Sequence, residues 1–220
     1  VEVAGMQSSG STLVYNILRT FNERFNLGWK IRKNHAVTVD DLQCAIVTYR
    51  DPRDVVCSAA RRQGHCFECD AHELQERILE QLELIFFGSA PADGQWAAKV
   101  EVYFEARAKR GLEMLRYESF VACLPNLIDA LAAHFGLVER LTPTLTAEIA
   151  ATWSVANVAG IVAKLADFTD ADHETHLHGH HISNEGRIRG WLTCLTLSTR
   201  RRVESSLGSV FELLNYTKLG

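Results

Sequence analysis

Gly5, Gly10, Ser11 and Thr12 stand in the spacing G-x-x-x-x-G-x-T within the opening segment VEVAGMQSSGSTLVYNILR. A glycine-rich turn between a strand and a helix aims backbone N–H groups, and the positive end of the helix dipole, at an anion. Ser9, Ser11 and Thr12 add hydroxyl donors. Ser11 occupies the place of the lysine that follows the second glycine in nucleotide-hydrolysing phosphate loops, which counts against an ATP or GTP hydrolase. The plainer alternative is an ordinary βα turn in which Gly10 supplies a backbone angle.

Two further stretches carry chemistry. In VTYRDPRDVVCSAARR, Arg50 ends an apolar, β-branched run, Pro52 suits the first turn of a helix, and Ser58 follows two turns later. An arginine at the carboxyl end of a strand points into the crevice where open α/β sheets hold ligands, and its planar donors match a phosphate. Arg50 and Asp51 capping or pairing locally is the competing reading. In IRKNHAVTVDDLQ, Lys33 and His35 alternate and so share a face. A histidine titrating near neutrality is the usual general base for a hydroxyl, although a lone loop histidine is more often unremarkable.

These residues need elements to hold them. Strand-like runs occupy 1–4, 28–31, 45–49 and 112–117. Helical periodicity covers 11–25, 72–87, 96–110, 124–135, 146–165 and 198–214. Strands alternating with helices predict one α/β domain over 1–220, a parallel sheet flanked by helices. The chain has 220 residues, 47% of them hydrophobic, and a net charge of -4, so any anion is caught by local geometry. That balance argues against nucleic acid or an anionic membrane as partner. No apolar run is read as a membrane span, and no signal peptide is visible. The 6 cysteines show no dense framework spacing, so reduced thiols and a cytoplasmic location are expected.

The set GMQSSGSTLVYNILR, KNH, YRDPRDVVCSAARR, LRYESF and GRIRGW resembles, in family order, the sulfotransferases that use 3′-phosphoadenosine-5′-phosphosulfate (PAPS). The resemblance implies a phosphate-loop-like sulfotransferase fold, PAPS as donor and adenosine 3′,5′-bisphosphate (PAP) as product. It implies that Ser8, Ser9, Gly10, Ser11 and Thr12 form the loop at the 5′-phosphosulfate end. Arg50 and Ser58 match the pair at the 3′-phosphate, and Tyr117 resembles the tyrosine beside the adenine. Arg187, Arg189 and Gly190 resemble the late basic loop over the 3′-phosphate, with Trp191 behind it. His35 matches the base that takes the acceptor's proton, and Lys33 the lysine near the sulfuryl group. Ser8 departs from the family, which carries lysine or arginine there. Losing one preorganised donor typically costs about 10²–10³ in rate. Lys33, Arg187 and Arg189 are the candidate substitutes.

The expected activity is sulfuryl transfer to a hydroxyl, or an amine, of a small organic acceptor. A weak or inactive PAP-binding protein is the alternative, and a small-molecule kinase with Asp51 or Asp54 on magnesium is a third. Residues 66–94 and 166–185 are the candidate acceptor-pocket segments. Cys66 and Cys69 form half of a zinc site, with His65 and His72 beside them and His173, His176, His178, His180 and His181 in a later loop. Nothing in the spacing places these together, so no metal is expected.

Overall fold

The computed structural model describes residues 1–34, 45–63, 71–88, 95–167, 170–179, 181 and 187–219. β1 (Glu2–Gly5), β2 (Arg32–Asn34), β3 (Ala45–Tyr49) and β4 (Glu113–Arg116) make one parallel sheet in the order β2-β1-β3-β4. Its strands alternate faces with period two. Val3, Ile46 and Leu115 join one core with Ile17, Phe21 and Leu131. Ala4, Val47 and Met114 join the other with Val56, Leu82 and Phe211. Both faces are thus covered, as a parallel sheet requires.

α1 (Ser11–Phe25) and α6 (Leu124–His134) supply the first core. α2 (Pro52–Gln63), α3 (Ala71–Leu82) and α4 (Trp96–Arg110) lie against the second. A π turn, Glu83–Phe87, extends α3, and a single-turn α5 (Tyr117–Phe120) follows β4 directly. The parallel sheet with flanking helices is therefore the expected fold class.

Four expectations differ in detail. The second strand is not 28–31 but Arg32–Asn34, which places Lys33 inside the strand, opposite Val3, rather than after it. The apolar 28–31 segment is held another way. Trp29 N donates to Asn22 Oδ1 at 2.8 Å, and its ring packs 4.7 Å from Phe135. The helix expected over 146–165 is two, α7 (Pro143–Thr152) and α8 (Val155–Val162), because Ser154 caps the second by accepting from Asn157 N. Pro143–Val162 is also, among the described residues, long and apolar enough by composition to cross a membrane, against the expectation of no such run. The break between α7 and α8 divides it. Past α9 (Trp191–Cys194), the last predicted helix likewise divides, into α10 (Leu197–Ser206) and α11 (Gly208–Leu213).

Candidate functional site

The β1–α1 loop turns on two left-handed residues, Ser8 at φ 60° and Gly10 at φ 85°. At Gly10 a Cβ would also lie 2.8 Å from the Phe120 ring, so glycine is required twice over. Ser9 is fully buried, and its hydroxyl faces inward: it donates to Met6 O at 2.6 Å and lies 2.6 Å from Thr48 Oγ1. Ser9 therefore staples the loop to β3 by its side chain. Ser11 and Thr12 open α1, whose first turn carries no acidic residue to offset the positive dipole end.

From β3 and α2, side chains close on this loop. Arg50, 5% exposed, donates from Nη1 to Ser8 O at 3.0 Å and from Nη2 to Arg187 O at 2.6 Å. Its guanidinium lies over the Tyr117 ring, 4.3 Å from the centroid, and its buried Nε meets no acceptor among the described residues. Ser58 Oγ donates to Ser8 Oγ at 2.9 Å. One turn further along α2, Arg62 Nη2 donates to Gln7 Oε1 at 2.7 Å. The same strip of helix thus contacts successive residues of the loop.

The late basic segment is gripped through its backbone. Asp54 accepts from Arg189 N and from Trp191 N, each at 3.0 Å, and its other neighbour is Arg50 at 3.6 Å. Burial raises the Asp54 pKa despite that arginine. Arg189 is left-handed at φ 60°, and Gly190 packs with its Cα side toward the Asp54 carboxylate. The Arg187 and Arg189 side chains are exposed. Trp191 stacks on Arg53, 3.9 Å from its ring centroid, while Arg53 pairs with Asp51 at 2.7 Å and Glu204 at 2.6 Å. Asp51 and Asp54, weighed as magnesium ligands, are engaged in these contacts.

Lys33 stands in β2, next to β1, near enough to Arg62 to feel its charge. Burial, and then the charge of Arg62, pull its pKa down to about 8. On the histidine-rich loop, His176 is left-handed at φ 54°, and its ring stands edge-on to Tyr15 at 4.8 Å. Burial, followed by Lys33 and Arg19, lowers its pKa. Asn16 Nδ2 ties that loop to α1 through Thr175 O at 2.8 Å. His35 lies outside the described residues, as do His65, Cys66, Cys69 and His180. Among the described residues no group of His, Cys, Asp or Glu is placed to hold a metal.

Ser8, Gly10, Arg50, Ser58, Tyr117, Arg187, Arg189 and Gly190 are thus brought together, with Lys33 on the neighbouring strand. Arg62 and the anchoring role of Asp54 escaped the sequence reading. Helical spacing from Ser58 points to Arg62; no local pattern points to Asp54 as the holder of a loop 135 residues away.

No family model matches the sequence, and no curated protein matches it. Solved structures do match its fold. Mouse sulfotransferase SULT7A1 complexed with PAP aligns at TM-score 0.64 and 15% identity, over 97% of this chain and 86% of that one. Retinol dehydratase in complex with retinol and PAP aligns at TM-score 0.67 and 13% identity, over 96% of this chain and 80% of that one. The fold is the sulfotransferase fold.

Proposed function

We propose that this chain is a PAPS-dependent sulfotransferase acting on a hydroxyl, or an amine, of a small organic acceptor. The observation that carries the reading is the meeting of Arg50 and Ser58 on Ser8, a strand-end arginine and a helix serine both closing on the phosphate loop. Similar folds that hold PAP support it. The donor set fits a nucleotide with two anionic ends: Arg50 has a buried N–H without an acceptor among the described residues, and the α1 N-terminus is uncompensated.

When bound, PAPS supplies an activated sulfuryl group at one end and a 3′-phosphate at the other. Ser8, Gly10, Ser11 and Thr12 hold the 5′ end with backbone and hydroxyl donors, and Ser9 fixes the loop from beneath. Arg50 and Ser58 read the 3′-phosphate, and Arg187, Arg189 and Gly190 close over it with Asp54 as their anchor. Tyr117 lines the adenine side. Lys33 stabilises charge near the sulfuryl oxygens, and His35 withdraws the acceptor's proton.

A second reading, a PAP-binding protein with little turnover, is favoured by one observation. Ser8 offers the loop no cation, and its hydroxyl oxygen already accepts from Ser58.

Thermal stabilisation by PAP, ADP and ATP at matched concentrations tests the nucleotide assignment. A ligand present at about 100 times its dissociation constant stabilises the native state by about 2.7 kcal/mol. PAP should raise the melting temperature clearly and ADP little. Equal shifts would remove the 3′-phosphate site and the proposal with it.

A further inference from the structure

We propose that Arg62 supplies the positive charge that the opening loop lacks, binding the anionic group held at Ser8–Thr12 from the last turn of α2. This inference rests on the nucleotide reading above. Ser58 and Arg62 are i,i+4 on α2 and so lie on one face. Ser58 reaches Ser8 itself, and Arg62 reaches Gln7, the residue just before it. The Gln7 side-chain oxygen Oε1 fixes the guanidinium beside the position where a loop lysine would begin. The cation has moved from the loop to the helix that packs on it.

The other candidate substitutes suit the task less well. Arg187 and Arg189 enter the site through main-chain atoms, and their side chains are exposed. Lys33 is close enough to Arg62 to feel its charge and titrates near 8, so it is partly neutral in mildly alkaline solution. A guanidinium stays charged throughout, and its planar fork matches phosphate oxygens by two parallel donors.

A structural role for Arg62 makes a different prediction. Arg61 and Arg62 both stand in the last turn of α2, where a positive charge favours the helix dipole. The two roles separate when PAP and adenosine 3′-monophosphate, which lacks the 5′-phosphate, are titrated calorimetrically into the full chain. Arg62→Gln should weaken PAP about 10- to 100-fold, the scale of a charged hydrogen bond. Binding of adenosine 3′-monophosphate should be nearly unchanged. Adding Ser8→Lys to Arg62→Gln should restore PAP affinity, because the charge returns to the same place by another route. Equal loss of both nucleotides, or no loss of PAP, overturns the inference. If wild-type protein prefers PAP over ADP and Arg62→Gln binds PAP equally well, Arg62 alone is wrong. If wild-type protein shows no preference for PAP, the nucleotide reading falls and the inference falls with it.

Discussion

The two ends of the crevice treat charge in opposite ways. Around the start of α2 the two buried cations have counter-charges: Arg53 lies between Asp51 and Glu204, and Arg50 lies beside Asp54. Glu118 extends the network, accepting from Asp51 N at 3.0 Å and from the Tyr216 hydroxyl at 2.7 Å. At the β2 end the dominant influences on Lys33 are burial and another cation, Arg62, and His176 is pushed toward neutrality by burial and by Lys33. Buried and paired, the first end is a scaffold. At the second, Lys33 is partly buried and feels the charge of Arg62, which disfavours its ammonium until an anion arrives. Stability and function should therefore divide between them.

The sharpest separation comes from His35→Ala. As general base it should contribute about 10²–10⁴ in turnover, with PAP affinity and thermal stability close to wild type. A parallel loss of PAP binding would sink the base assignment. Arg53→Ala should do the reverse at the scaffold end. It removes the guanidinium that two buried carboxylates, Asp51 and Glu204, share. Breaking such a pair typically costs about 3–5 kcal/mol, readable as a lower urea midpoint. A cost below about 1 kcal/mol, the scale of a surface pair, would erase the distinction between the two ends.

The smallest effect is on Lys33, and its sign is the test. Its pKa in the folded chain is about 8, against an ordinary value of 10.5. The unfolded chain therefore holds the proton between those values and the folded chain does not, so stability rises with pH across that window. Below about 8 the fold carries the full cost of the charged ammonium. Lys33→Met should be more stable than wild type at pH 7 by about 1 kcal/mol after allowance for solvent screening. The advantage should fade toward pH 10.5, the lysine's ordinary pKa. Saturating PAP should reverse it, because a bound phosphate gives the ammonium its counter-ion. Urea midpoints at several pH values, with and without PAP, check both statements; a less stable variant at pH 7 contradicts them.

Much of this was legible in the chain. Gly10 announces a left-handed turn, Pro52 a helix start, and the runs at β1 and β3 read directly as buried strands. Other features were hidden because they depend on neighbours. The 28–31 run looks like a strand, yet Asn22 and Phe135 claim Trp29, and pairing begins only where Arg32 meets Glu2. Periodicity runs through Trp153 and Ser154 without showing that the serine caps a new helix. Ser9 reads as a phosphate donor among its neighbours, but burial turns its hydroxyl toward Thr48.

Sequence alone determined the alternation of strands and helices, a glycine-rich turn after the first strand and the arginine at the end of β3. Those depend on backbone preferences and apolar period, which are local properties. Tertiary structure decided which charges meet. The parallel sheet brings the carboxyl ends of β1, β2 and β3 to one edge, so Gln7 finds Arg62 and Asp54 holds the backbone of Arg189 and Trp191. A charge's partner is set by distance in space, and no spacing along the chain encodes it.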